Sequence, residues 1–128
     1  MQLITPEWAA AYAEAWNNDD EVMKKLRKFS SVFKYSISDR EDLEPVVLEV
    51  EKGICVTFGT EEQYEKIEFD MWADSASWKK VFDGEISVKK AMMSKGFGFK
   101  GPKLKAMMNM GGFERSIAIM VEMDGVTV

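Results

Sequence analysis

The glycine-rich stretch at residues 95–103, KGFGFKGPK, is the part of the sequence whose residue types and spacing most directly suggest chemistry. Its residues from Gly96 to Gly101 match the G-x-G-x-x-G pattern that holds a dinucleotide pyrophosphate at a helix N-terminus. That pattern requires a strand before the glycines and a helix packed directly after them. A helical segment containing Met92 and Met93 precedes the glycines instead, so we reject a dinucleotide site.

The same stretch also matches the first five positions of the octamer with which RNA-recognition domains stack bases, here Lys95 to Phe99. The octamer continues with a β-branched residue and a later aromatic residue, but Lys100 and Pro102 stand at those positions. The predicted order of elements also differs from βαββαβ, and the net charge of −5 opposes phosphate binding. RNA binding through this strand is therefore a minor alternative, and we expect no nucleic-acid partner.

The side chains that most often carry catalysis are missing or isolated. The chain has no histidine, which removes the commonest general base and the commonest zinc ligand. The single cysteine, Cys55, lies in the strand-like run ICVTF, where a buried and unreactive thiol is expected. The acidic residues show no spacing typical of a metal site. We therefore expect a protein that is not an enzyme, with no metal and no cofactor.

Composition predicts a single globular domain over residues 1–128, with 46% hydrophobic and 30% charged residues. One cysteine and the lack of a long apolar run favour a cytoplasmic location. Charge is uneven: residues 75–128 carry nine Lys and Arg against five acids, whereas residues 1–74 have a net charge of −9. We expect the basic part to meet an anionic ligand or, transiently, an anionic membrane surface, with a solvated lysine face as the alternative.

Hydrophobic periodicity predicts the elements that would position these residues. A helix is expected from Pro6, with Trp8, Tyr12 and Trp16 on one face, and a second short helix follows. The period then changes from 3.6 to 2, which predicts four consecutive strands in an antiparallel meander. The chain is completed by helices starting near residue 75 and at residues 85–87, by a short fifth strand at 97–99, and by a last helix from Pro102 that is kinked at Gly111–Gly112. This order is typical of an α+β fold.

Residues 70–110 carry a more specific pattern. An aromatic pair precedes a glycine at Trp78, Phe82 and Gly84, and a helix then runs from Ala91 to Gly96. A short apolar strand ending in glycine follows (Phe97, Phe99, Gly101), and an apolar helix comes next. This pattern resembles the sterol carrier protein 2 (SCP-2) family; the smaller Gly98, Pro102 and the high methionine content depart from the family's usual sequence.

The resemblance implies a five-stranded, mostly antiparallel sheet covered on one face by helices, with an apolar tunnel between the two layers. It implies binding and intracellular carriage of a fatty acyl chain, phospholipid or sterol-like lipid, without catalysis. Seven of the ten methionines follow residue 91, and their flexible side chains suit an adaptable apolar wall. The predicted wall residues are Trp78, Phe82, Met92, Met93, Phe97, Phe99, Leu104, Met107 and Met108, and Lys100 and Lys103 are predicted to bind a headgroup at the mouth.

Two alternatives remain open. The methionines and aromatic residues at helical spacing could form an ordinary core. The protein would then be an interaction module of the same fold with a closed cavity, acting through partner contacts, as a homodimer or beside an enzyme.

Overall fold

A five-stranded sheet with helices packed on one of its faces forms the body of the computed structural model, which describes residues 1–128. This confirms the predicted α+β fold. The helices are α1 (Pro6–Asn17), α2 (Asp20–Lys25), α3 (Ser75–Phe82), α4 (Val88–Met92), α5 (Lys103–Met108) and α6 (Met110–Glu122). The strands are β1 (Ser31–Ile37), β2 (Val46–Glu51), β3 (Ile54–Thr60), β4 (Phe69–Ala73) and β5 (Phe97–Lys100), and a 3₁₀ turn covers Glu61–Gln63.

The strand order is β3-β2-β1-β4-β5, and one pair in this sheet is parallel. The first three strands form the predicted antiparallel meander, but the extension of that meander to β4 was wrong. Strand β4 instead pairs in parallel with β1, and β5 pairs antiparallel with β4. Residues 61–68 make this possible because they cross the sheet face that lies away from the helices, where Glu61 pairs with Lys34 of β1 at 3.0 Å.

Alternating side chains decide which sheet face is buried. Phe33, Tyr35 and Ile37 of β1 are buried, whereas the intervening Lys34 and Ser36 are only half-buried. Since successive side chains of a strand point to opposite faces, the buried set lies toward the helices. The core between the two layers includes the aromatic stripe of α1, in which all three predicted rings are fully buried.

One turn and one helix cap fix how α1 meets the sheet. Lys52 and Gly53 both have positive φ, at 49° and 83°, which suits the tight turn between β2 and β3. The indole of Trp16 donates a hydrogen bond of 2.9 Å to the carbonyl of Gly53 and so attaches α1 to this turn. At the N-terminus of α1 the hydroxyl of Thr5 accepts from the amide of Trp8 at 3.2 Å, as the predicted cap requires.

The C-terminal helices end or break at residues other than those predicted. The fourth helix starts after its cap, Ser87, within the predicted start at residues 85–87, but it ends at Met92 and does not extend to Gly96. The break in the last helix lies at Asn109, two residues before the predicted glycine kink, because the Asn109 side chain donates to the Lys105 carbonyl at 2.8 Å and ends α5. The remaining helix, α6, continues through both glycines without a break. No helix combines the length and the apolar character needed to cross a bilayer.

Candidate functional site

Phenylalanine rings fill the space between the sheet and the C-terminal helices. Phe33 of β1, Phe69 of β4 and Phe113 of α6 lie with centroids 5.3 to 5.5 Å apart, within the range of favourable aromatic pairs. Phe29, just before β1, and Phe99 of β5 extend this cluster, at 5.3 Å from Phe113 and 5.5 Å from Phe69 respectively. We call these five rings the phenylalanine cluster.

The interior beside this cluster is almost completely filled. The cavity that remains between β1, β4, β5 and α6 measures about 10 Å³, far less than the 300–1,000 Å³ of typical ligand pockets. Two buried tyrosines extend the interior toward α1, and the Tyr12 hydroxyl donates to the Ser116 carbonyl of α6 at 2.8 Å. Burial raises the pKa of both Tyr12 and Tyr35, so these hydroxyls stay neutral and act only as hydrogen-bonding groups.

Four of the nine predicted wall residues come together in the interior. Trp78 of α3 is fully buried, and the Phe97 ring of β5 meets it edge-on at 4.9 Å. Phe82 lies 6.5 Å from the same indole, and Met92 packs against the core while half-buried. These four side chains therefore line the sheet end nearest α3 and α4.

The other five predicted wall residues keep much of their surface in water. Leu104, Met107 and Met108, on one side of α5, are 71%, 70% and 77% exposed. Met93 at the end of α4 is 80% exposed, and Phe99 is 40% exposed although its ring contacts the phenylalanine cluster. A closed tunnel lined by all nine residues is not present in this conformation.

The two lysines predicted at the mouth lie apart. Lys100 of β5 stands opposite Asp70 of β4, on the sheet face away from the helices. Lys103 is exposed in the first turn of α5. The sheet face around Lys100 holds one buried polar atom without a partner, Oδ1 of Asp70, and burial raises the pKa of that carboxyl group despite the nearby Lys34.

A third lysine, Lys105, makes the contacts that sequence reasoning missed. Its Nζ donates to the Ser30 carbonyl at 2.9 Å and to Oε1 of Glu68 at 2.7 Å, and it lies 5.0 Å from the centroid of the Phe29 ring. Burial alone would raise the pKa of Glu68, but hydrogen bonds from Lys105 and Ser31 lower it. Nothing in its spacing distinguishes Lys105 from the neighbouring lysines, because its partners are far away in sequence.

A second apolar space lies at the opposite edge of the sheet and was also missed. A groove of about 410 Å³ opens between the start of α1, the β1–β2 connection and the end of β3. Its apolar lining includes Ile4, Ala9, Leu43, Val46 and Phe58. The lining residues come from three separate segments, so no local sequence pattern marks the groove.

The glycine-rich stretch proves to be an edge strand and not a phosphate-binding turn. Gly98 of β5 pairs with Trp72 of β4, and a Cβ atom at Gly98 would lie 2.0 Å from the Trp72 indole. A Cβ atom at Gly101 would lie 2.4 Å from the Phe69 ring. These glycines therefore allow two large aromatic rings to pack against β5.

The acidic side chains and the single thiol are the remaining candidates for chemistry. No group of three His, Cys, Asp or Glu side chains is positioned to hold a metal ion. The thiol of Cys55 is buried, and burial raises its pKa to about 11, so it remains protonated near neutral pH. The arrangement instead combines a packed aromatic interior with an exposed apolar helix beside it.

Comparison with known proteins agrees with this description. The chain's fold matches a crystal structure of sterol carrier protein 2 with a TM-score of 0.80 and 21% identity, covering 94% of this chain and 98% of that one. A conserved hypothetical protein of Thermus thermophilus matches with a TM-score of 0.77 and 21% identity, covering 95% and 90% of the two chains.

A more distant match, the UbiJ-SCP2 ubiquinone synthesis protein, has a TM-score of 0.59 and 12% identity, over 96% and 94% of the chains. No curated protein matches the sequence. Residues 10–114, however, match the model of the SCP-2 sterol transfer family. The chain therefore belongs to the SCP-2 sterol transfer family.

Proposed function

We propose that this protein binds a hydrophobic ligand between the sheet and the C-terminal helices and carries it without changing it chemically. The ligand class is a fatty acyl chain, a phospholipid or a sterol-like lipid, in keeping with membership of the SCP-2 sterol transfer family. Moving each methylene group out of water contributes about 0.8 kcal/mol. A lipid that leaves a bilayer for an apolar protein interior loses little of this free energy, so uptake and release are both feasible.

The observation that carries the proposal is the position of α5. Its Ala106 belongs to the core, whereas Leu104, Met107 and Met108 are exposed. Lys105 connects it to Glu68 and lies over Phe29, at one end of the phenylalanine cluster. We infer that the packed interior is the closed conformation, and that a ligand enters when α5 moves away from this end of the interior.

The filled interior also supports a second candidate function. With only about 10 Å³ beside the phenylalanine cluster, the domain could remain closed and act as an interaction module, as a homodimer or beside an enzyme. The two functions differ in what the protein binds. A carrier binds lipid in the absence of any other protein, whereas a closed module does not.

Titration with a fluorescent long-chain fatty acid would test the proposal, together with native mass spectrometry of protein purified from its own host. Two variants that reduce apolar space locate the site. Ile117→Phe enlarges a buried side chain of α6 that borders the small interior cavity. The matched control, Ala9→Leu, enlarges a side chain that lines the distant groove instead.

We expect a one-to-one complex with the wild-type protein, weakened about tenfold by Ile117→Phe because one extra ring must be accommodated, and unchanged by Ala9→Leu. Thermal unfolding without ligand would show that both variants fold. If only Ala9→Leu lost fatty-acid binding, the binding site would be the α1–β3 groove, and this result would contradict the proposed site. No binding by the wild type would favour the interaction module.

A further inference from the structure

An exposed apolar surface on α5 is the feature that the packing of the domain leaves without a partner. Leu104, Met107 and Met108 occupy positions i, i+3 and i+4 and are each at least 70% exposed, and Met110 at the start of α6 is 42% exposed. We call these four residues the α5 surface. Helices normally turn such a stripe toward the core, so a stripe facing water indicates a binding surface.

The fold places positive charge directly beside the α5 surface. Met108 and Asn109 share a broad groove with Lys24, Lys25, Arg27 and Lys28, which lie in and just after α2. Only one acid, Glu21, lines this groove, and it pairs with Lys25 at 3.1 Å. The other three cations have no ion-pair partner. All four cations belong to the acidic part of the sequence, residues 1–74, so only the fold shows that they lie beside the α5 surface.

An apolar stripe beside unpaired cations matches the chemistry of one partner in particular. An anionic phospholipid bilayer offers negative headgroups at its surface and hydrocarbon a few ångströms below them. Methionine and leucine side chains can enter the outer hydrocarbon, while lysine and arginine remain at the headgroups. A purely polar ligand would leave the apolar stripe in water, and a neutral apolar partner would leave the cations unused.

We propose that the α5 surface docks on an anionic phospholipid bilayer, with the α2 cations at the headgroups. The inference rests on the proposed function, because it places the helix that closes the ligand interior at the source of the ligand. Docking would exchange the water around Leu104, Met107 and Met108 for lipid. Lys105, on the same helix, connects this surface to Glu68 and the end of the phenylalanine cluster.

Co-sedimentation with vesicles tests the proposal, using phosphatidylcholine vesicles with and without phosphatidylserine. The apolar test variant is Met107→Gln/Met108→Gln, which retains helix-forming residues. Its matched control is Ile54→Thr/Val56→Thr, which changes two side chains of β3 that are each 47% exposed and lie on the opposite edge of the sheet. The charge variant is Lys24→Gln/Lys28→Gln, with Lys79→Gln/Lys80→Gln on α3 as its control.

We expect the wild type to bind the anionic vesicles and to bind the neutral ones much more weakly. The methionine variant should lower the partition coefficient about tenfold, and each lost α2 lysine should lower it roughly fivefold, with less effect at high salt. Both controls should bind like the wild type. Equal binding to the two kinds of vesicle, or wild-type binding by the methionine variant, would overturn the proposal.

Two further measurements distinguish membrane docking from ligand binding in the interior and from dimer formation. Fatty-acid titration without vesicles reports the interior site, so a methionine variant that keeps fatty-acid binding but loses vesicles supports docking independently of the ligand site. If neither the wild type nor any variant bound fatty acid while the wild type still bound vesicles, the result would contradict the proposed function but not membrane docking. Size-exclusion chromatography completes the test, because a wild-type dimer that the methionine variant dissociates would make the α5 surface a protein interface and overturn membrane docking.

Discussion

Individual glycines in this domain stand where a large side chain lies against the backbone. Gly98 lies beneath the Trp72 indole, and Gly112 of α6 lies beside Leu26, whose nearest methyl carbon would be 2.2 Å from a Cβ atom at that position. Leu26 is fully buried. The sequence showed adjacent glycines at 111 and 112 and suggested a kink, but their two roles depend on what packs against each.

The adjacent pair gives a matched test at the residue scale. We expect Gly112→Ala to lower the free energy of unfolding by about 1–3 kcal/mol, because the new methyl group overpacks the contact with Leu26. Gly111→Ala should raise it by about 0.5–1 kcal/mol, since its nearest neighbour is a Lys25 carbon at 3.9 Å and alanine favours the helix. Urea unfolding followed by tryptophan fluorescence would measure both. Equal effects of the two changes would contradict this account of the glycines.

Among the elements, α5 shows most clearly where sequence reasoning stops. The positions of β1 and α1 were predictable because the apolar face of each element packs against the core. The spacing of Leu104, Met107 and Met108 predicts an apolar face equally well, but it does not say whether that face meets the sheet or the solvent. The parallel placement of β4 was not predictable either, because it depends on a crossing segment with no regular pattern.

The contacts of Lys105 predict how firmly α5 is held. Replacing Lys105 with methionine removes the hydrogen bonds to Ser30 and Glu68, and amide hydrogen exchange in α5 should become about threefold to tenfold faster. The global free energy of unfolding should fall by less than about 1 kcal/mol, since the Lys105 and Glu68 side chains are each about a third exposed.

Hydrogen-exchange mass spectrometry would compare this variant with Lys103→Met, which changes an α5 lysine that has no ion-pair partner. Unchanged exchange in Lys105→Met, or an equal increase in the control, would show that Lys105 does not hold α5 against the strands. Faster exchange confined to Lys105→Met would also make this variant useful for measuring how quickly a fatty acid enters.

At the scale of the whole molecule, one ion-pair group joins distant parts of the chain. Arg115 of α6 donates to both carboxylate oxygens of Asp19, at 2.6 and 3.1 Å, and also to Glu122. Asp19 additionally accepts from the Val22 amide as the N-cap of α2. The hydrogen bonds from Arg115 lower the pKa of Asp19 below its ordinary value of 3.8. This group therefore connects the helix after α1 to the last helix.

A lowered carboxyl pKa predicts stability that is lost in acid. The contribution is present above the ordinary pKa of Asp19 and disappears as the pH falls through its lowered value in the folded protein. We expect Asp19→Asn, which retains a capping side chain, to be less stable than the wild type by about 1–2 kcal/mol at neutral pH. The difference should shrink toward zero at an acidic pH well below the ordinary pKa of Asp19. Urea unfolding at both pH values would measure it, and a difference that persists in acid would contradict an ionic origin.

The edge strand β3 is protected against pairing with a strand of another molecule. The carboxamide of Asn17, at the end of α1, donates to the Cys55 carbonyl at 2.8 Å and accepts from the Cys55 amide at 2.9 Å. A single side chain thus occupies both backbone groups that an incoming strand would need at that residue. The β3 edge also exposes isoleucine and valine side chains, which would favour association. Another strand could pair with β3 at Cys55 only after Asn17 had released both backbone groups, so this contact disfavours fibre-like stacking.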